Sequence, residues 1–350
     1  MKTIQFNLLL FLFMLPGLAQ AEGIKGKYTS EKKINRSFIV NADALTNVLN
    51  KYGNVYVTTW DENKTDIEVI ITVSGNNEEQ VNKRIKAIDV LFNTSNSKVS
   101  ATTVIGNSPS SKISMEINYT VKIPKKGAIG INNQYGGISL GVINGPATID
   151  CQYGTFSANE LNNENNSIIM LYSDGSNINY IAKGAINAQY SGLKVKKSNH
   201  LNIKAGYTDV TVTDVGNITY SLYYGDMKVG SANRVLAEGD YNSMRFGTIS
   251  TELFIKTNYG DIKVENIEKG VKKVTIYSTY TAVDLKLNEN FAYDFEFSLI
   301  YGNLNGGDGL TFSEKKEKNF EAYYRGYYKN SGVGKMIINT EYGNITLKRS

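Results

Sequence analysis

Tyr224-Gly225-Asp226-Met227-Lys228-Val229 is one copy of a pattern that recurs down most of the chain. A Tyr, usually followed by Gly, precedes apolar residues three and five positions later. Clear copies begin at Tyr135, Tyr153, Tyr190, Tyr207, Tyr224, Tyr241, Tyr259, Tyr280, Tyr301 and Tyr342. Up to Tyr301, consecutive copies lie 17 to 21 residues apart. Positions six and four before the Tyr are apolar too, as in Ile129/Ile131, Leu201/Ile203, Val274/Ile276 and Met336/Ile338. Alternation with period two on both sides of the Tyr predicts two short strands. The Gly after the Tyr predicts a sharp corner between them.

One such unit cannot bury its own apolar face, but stacked units can. The predicted fold class is therefore all-β: a single-chain parallel β-helix, or β-solenoid, with right-handed winding favoured by the usual hand of β-crossovers. Roughly a dozen coils make a rod on the order of 50–60 Å long. The rivals fail on period. A propeller blade needs about 40–50 residues, and the strict six-residue repeat of a left-handed β-helix is missing.

Among 350 residues there are 32 Gly, 24 Tyr and only 4 Pro, which suits β-repeats better than helices. A formal charge of +5 is mild, and no concentrated basic patch suggests nucleic acid. Residues 1–21 read as a secretory signal: Lys2, the apolar run Leu8 to Leu15, then Ala19-Gln20-Ala21. Cleavage after Ala21 predicts an exported chain, in the periplasm, on the outer surface or secreted. The apolar run is too short to span a bilayer, and no later stretch reaches about 18 apolar residues, so no transmembrane segment is expected in the mature chain. Cys151 is the only cysteine, so no intramolecular disulfide can form, and it reads as a small buried residue.

The expected organisation is an N-terminal region over 22–126 and solenoid repeats over 127–350. Residues 22–37 are polar and read as a mobile lead-in. An early copy of the repeat follows at Tyr52, with Val55 and Val57 at the expected offsets. Val81, Ile85, Ile88 and Phe92 share one helical face, which predicts a helix over about 78–92 that caps the N-terminal end of the solenoid. Asn76 or Asn77 can cap the helix itself. Ser108-Pro109-Ser110 reads as a turn. Near Tyr172 the repeat reads as degenerate, with Ile168 and Met170 offset. An excursion over about 306–334 carries the charged run Glu314 to Lys318 and a Tyr-rich segment, and is expected to help cover the other end.

This layout resembles the β-strand-repeat family of bacterial envelope proteins named putative adhesin, or Toastrack-like. The likeness is carried by Asn50-Lys51-Tyr52-Gly53-Asn54-Val55, by Thr59-Trp60-Asp61, by the strand from Glu68 to Ser74, by the helix and by the later Tyr-Gly copies. The resemblance implies an exported parallel β-solenoid, in a family whose members are described as adhesin-like or as parts of envelope-stress modules. It attaches no catalytic residues. Some relatives are joined to membrane-anchored modules, which this sequence does not show.

No catalytic, metal or cofactor constellation emerges from the residues. His200, the only histidine, sits in a polar run before Leu201 and reads as a solvated turn residue. Gly306-Gly307-Asp308-Gly309 occurs once and reads as a loop. Asp209, Asp226 and Asp261 follow their Tyr-Gly or Tyr-Thr pairs where turn residues are usual. Two features could bind a ligand. Lys194, Lys228, Arg245 and Lys263, with Thr211 among them, fall in one outward column that could meet anionic glycan or lipid headgroups. Tyr323, Tyr324, Tyr327 and Tyr328 read as exposed aromatics outside the repeat. The repeat tyrosines read as a structural ladder. The expected function is a non-catalytic, adhesin-like envelope protein. Two alternatives stand beside it: a periplasmic scaffold or envelope-stress component with a protein partner, and a polysaccharide lyase or hydrolase of β-helix type.

Overall fold

A computed structural model describes residues 26–107 and 113–350. The signal segment 1–21 and the turn Ser108-Pro109-Ser110 lie outside the described residues. The N-terminal part comprises β1 (Tyr28–Ile39), β2 (Leu45–Lys51), β3 (Val55–Trp60), β4 (Lys64–Gly75), α1 (Glu78–Lys86), β5 (Ile88–Ser95), β6 (Lys98–Ile105) and β7 (Ile113–Pro124). The middle continues through β8 (Ala128–Gln134), β9 (Ile138–Ile143), β10 (Ala147–Gln152), β11 (Phe156–Leu161), β12 (Asn166–Leu171), β13 (Ser176–Gln189), β14 (Gly192–Gly206) and β15 (Asp209–Ile267). The last elements are β16 (Lys273–Leu287), β17 (Tyr293–Ile300), β18 (Leu304–Asn305), β19 (Leu310–Lys318), β20 (Glu321–Tyr328), β21 (Gly334–Glu341) and β22 (Ile345–Arg349).

Strands before each Tyr stack in parallel on one side, and strands after it stack on the other. In the leading stack β8, β10 and β12 pair in register, with Ile131 opposite Ile149 and Ile149 opposite Ile168. In the trailing stack β9 and β11 pair likewise, with Leu140 opposite Ala158. From β13 to β16 single strands serve both stacks. β13 and β14 run from a trailing strand into the next leading strand through the turn opposite the Tyr, and β15 and β16 pass through the Tyr corner. Alternate residues turn inward. In the Tyr224 copy Ile218, Tyr220, Leu222, Met227 and Val229 are buried, while Lys228 faces solvent. The result is an all-β solenoid with one continuous apolar core.

Neither the first nor the last repeat of the sequence lies at an end of the rod. The coil of β2 and β3 is inserted between β6/β7 and β8/β9. The coil of β21 and β22 is inserted between β16 and β17/β18. Both ends are then closed by antiparallel strands. At the N-terminal end β5 pairs with β6, and β1 and β4 extend the other stack beyond β7. At the C-terminal end the hairpin β19–β20 lies antiparallel on β17. Its outer strand carries Lys316–Glu314 and Lys315–Glu317 ion pairs, charges of the kind that discourage edge-to-edge pairing.

Four expectations change. Most of the polar lead-in is β1, with Ile34 opposite Val69. An edge strand exposes so much of itself that its charges look like those of a loop. The helix ends at Lys86, and β5 begins at Ile88. Ile88 and Phe92 fit helical spacing, but Ile88, Val90 and Phe92 also alternate. Pairing with β6 decides for the strand. Val81 and Ile85 press α1 onto the core, beside β1, β4 and β5, and the Asn77 side chain accepts from Gln80 N–H. The Tyr172 copy is in register, since Met170 pairs with Cys151 and Ile168 with Ile149. Finally, the Tyr and not the Gly supplies the corner. Twelve repeat tyrosines have φ between 50° and 61°, whereas among the glycines that follow them only Gly225 has a positive φ.

Candidate functional site

The corner Tyr sits in the left-handed region, which costs an L-residue roughly 1–2 kcal/mol. Ring stacking offsets this, at about 0.5–1.5 kcal/mol for an aromatic pair. The rings run Tyr52, Tyr135, Tyr153, Tyr172, Tyr190, Tyr207, Tyr224, Tyr241, Tyr259, Tyr280, Tyr342, Tyr301, with successive centroids 4.6–5.2 Å apart and planes within 12°. Phe320 prolongs the line, 4.6 Å from Tyr301. Each of the twelve tyrosines keeps 38–53% of its surface exposed.

The residue after the Tyr holds successive coils close together. A Cβ on Gly260 would lie 1.9 Å from the carbonyl oxygen of Asn242. Elsewhere this position is a buried Ser, Thr or Asn that binds the neighbouring coil. Ser173 Oγ donates to the Cys151 carbonyl at 3.0 Å, and Ser173 N–H donates to Ser191 Oγ at 3.0 Å. Ser191 N–H donates to Thr208 Oγ1 at 3.2 Å. Cys151 is itself buried, and burial pushes its thiol up to about 11.

On the trailing face Lys194 lies opposite Thr211 in the column expected from the sequence. Arg245 is paired with Asp261 at 3.0 Å and Lys263 with Glu265 at 2.6 Å. Among the described residues no ion pair reaches Lys194 or Lys228. Below Lys263 the column continues into Asp284, itself paired with Lys348 at 2.6 Å. The cationic stripe is thus partly neutralised along its length.

The Tyr-rich segment is strand β20, so alternation divides it. Tyr324 is buried, and its hydroxyl donates to Glu317 Oε1 at 2.5 Å. Tyr328 is half-buried against Tyr293, with the Arg349 guanidinium 4.4 Å from its ring. Tyr323 and Tyr327 are half-buried on the opposite face. The expected exposed cluster is replaced by two tyrosines turned toward the core and two turned outward. His200 is exposed, but in strand β14 and not in a turn. Asp209 Oδ1 accepts from Asp226 N–H at 3.0 Å, a contact between coils. Among the described residues no group of three His, Cys, Asp or Glu converges as a metal site, and no helix is long and apolar enough to cross a membrane.

A depression of about 320 Å³ lies on the outer leading face, beside the lower tyrosines of the ladder. Its floor and walls include Lys256, Tyr277, Ser298, Asn339 and Glu341. Sequence reasoning missed it because Asn339 and Glu341 reach it only through the insertion of β21 between β16 and β17. The one hint in the sequence is the 41-residue gap between Tyr301 and Tyr342.

Geometry and burial define an all-β solenoid with an open aromatic edge. Compared with known proteins, no family model matches the chain, and no curated protein does. Solved structures do. A putative adhesin from Parabacteroides distasonis is 12% identical, with a TM-score of 0.34, and the match covers 75% of this chain and 95% of that one. A putative adhesin from Parabacteroides merdae is 14% identical over the same shares, also with a TM-score of 0.34. A putative cell adhesion protein from Clostridium sporogenes is 13% identical, covering 91% of this chain and 100% of that one, with a TM-score of 0.17.

Proposed function

We propose that this chain is an exported, non-catalytic binding protein of adhesin type, with its aromatic edge as the contact surface. The open ladder carries this reading: twelve phenol rings in one unbroken line, each about half exposed. Tyr offers large, rigid contact area at low entropic cost, which is why it is enriched in recognition surfaces. Two of the three aspartates of the repeat column, which a lyase or hydrolase reading would draw on, are engaged in the fold. Asp209 accepts from the next coil, and Asp261 holds Arg245. Residues 1–21 supply the export signal, with cleavage after Ala21. Lys194 and Lys228, without an ion pair among the described residues, add attraction for anionic glycan or lipid headgroups.

The test uses the full chain expressed in a bacterial host. N-terminal sequencing of the exported product should begin at Glu22. Purified protein should adhere to immobilised host-cell and polysaccharide surfaces. A Tyr207→Ser, Tyr224→Ser, Tyr241→Ser triple variant with an unchanged circular dichroism spectrum should lose that adhesion. Undiminished adhesion, or release of reducing ends from a polysaccharide, overturns the reading. Retention on a heparin column should fall in Lys194→Ser, Lys228→Ser and change little in Arg245→Ser, Lys263→Ser.

A further inference from the structure

The insertion of β21 assembles one straight row of outward side chains across five strands. Lys256 lies opposite Tyr277, Tyr277 opposite Asn339, Asn339 opposite Ser298, and Ser298 opposite Tyr323. Residues directly opposite in a sheet share a face. Two aromatic residues therefore flank two short polar ones, three strand spacings apart, about 14 Å. The Tyr277 ring is held edge-on by Phe254, with centroids 6.1 Å apart, and is 39% exposed. The neighbouring row places Glu341 opposite both Thr279 and Ile300, beside the Asn339–Ser298 floor. The notch is open to solvent, and its volume of about 320 Å³ is at the small end of the range that holds a small ligand.

Of the polar groups there, Asn258 donates to Asp240 Oδ1 at 2.7 Å and Ser278 to Thr340 Oγ1 at 3.0 Å, and the remainder are uncommitted. The side chains of Lys256, Tyr277, Ser298, Asn339 and Glu341 form no hydrogen bond or ion pair with any described residue. They offer ammonium, amide and hydroxyl donors together with amide, hydroxyl and carboxylate acceptors. One free cation beside one free anion gives no net preference for a charged ligand. The Tyr277 ring suits the C–H face of a sugar ring, and the mixed floor suits its hydroxyls, while Tyr323 ends the row just outside the cavity. We propose that this notch binds a pyranose unit of a neutral glycan. The proposal rests on the reading of the chain as an adhesin-type binder and supplies its ligand class.

The experiment is affinity electrophoresis of the full chain in native gels. The gels carry a soluble β-1,3-glucan, a xyloglucan, a mannan, or heparin as the anionic control. At least one neutral polysaccharide should retard the wild type. Tyr277→Ala should weaken retardation roughly two- to tenfold, and Asn339→Ala with Glu341→Gln should do the same. Asn339 and Glu341 are exposed, so that variant keeps the question answerable if Tyr277→Ala fails to fold. Retardation is read relative to each variant's own mobility in a gel without polysaccharide, and His200→Ala, at an exposed strand position away from the notch and the ladder, should leave it unchanged. No retardation in any neutral gel, retardation indifferent to both notch variants, or retardation by heparin alone overturns the proposal. Adhesion of the same preparations to host-cell surfaces is measured in parallel. Adhesion that persists while the notch variants change nothing defeats the notch alone. Adhesion lost only in the ladder triple variant keeps the binding reading and moves the ligand to the ladder.

Discussion

Tyr342 stacks on Tyr280, with centroids 4.6 Å apart and planes within 5°, although the coil of Tyr301 lies between them in the chain. The last repeat is thus an internal coil, and its removal should act on the rod as removal of an inner layer would. A chain truncated after Ser331 should lose cooperative unfolding, because β16 and β17 would face each other across a missing coil. Ile338→Ala, at a fully buried position of that coil, should cost about 2–5 kcal/mol. Thermal unfolding followed by circular dichroism checks both. A truncated chain with the wild-type melting temperature would show that β21 is dispensable.

The corner tyrosines separate backbone strain from ring stacking. Tyr224 has φ 56° and stacks on Tyr207 and Tyr241 at 4.8 and 5.0 Å. Tyr224→Ala loses both stacks and keeps the strain. Tyr224→Gly loses both stacks and relieves it, so in urea the Gly variant should be about 1 kcal/mol more stable than the Ala variant. Both should fall below wild type. An Ala variant equal to or better than Gly would remove left-handed strain as a term.

Tyr220 is buried in the core, and its hydroxyl has no partner among the described residues. A buried donor without an acceptor is destabilising by about 1–3 kcal/mol. Tyr220→Phe should therefore raise the urea midpoint, an unusual direction for a core substitution. A lowered midpoint would point to a hidden partner, such as a buried water.

Alkali should weaken the protein before the usual phenol range is passed. Burial pushes Tyr119 up to about 12, against the opposing hydrogen bond with Thr103, and pushes Tyr293 up to about 12, against the opposing charge of Arg349. The unfolded chain releases these protons near pH 10. The contribution is full below pH 10 and is lost between about pH 10 and 12, at up to about 1.4 kcal/mol per pH unit for each group. Urea midpoints at pH 8, 10 and 11 test this. A midpoint unchanged from pH 8 to 11 contradicts it.

The alternation around Tyr224 is enough to place Met227 and Val229 inside and Lys228 outside, because side-chain direction in a strand depends only on local period. The same local rule fails at Ile88 and Phe92, whose spacing satisfies a helix and a strand equally, and at β1, whose inward face carries only Tyr28, Ile34 and Phe38 among polar and charged residues. It also misses the depth of Tyr324, since a Tyr on a strand looks the same whichever face it takes.

What the sequence determined by itself is the coil: its period, its two strands, the place of its corner and the inward set of residues. These follow from contacts between near neighbours and from a repeat that must stack to bury itself. What only the tertiary structure decided is the order of the coils at the two ends. The Tyr52 and Tyr342 coils have the same apolar pattern as the others and would fit any slot in the stack. Their slots depend on where the α1 segment and the β19–β20 hairpin return the chain, contacts far apart in sequence. The row from Lys256 to Tyr323 exists only because of that choice.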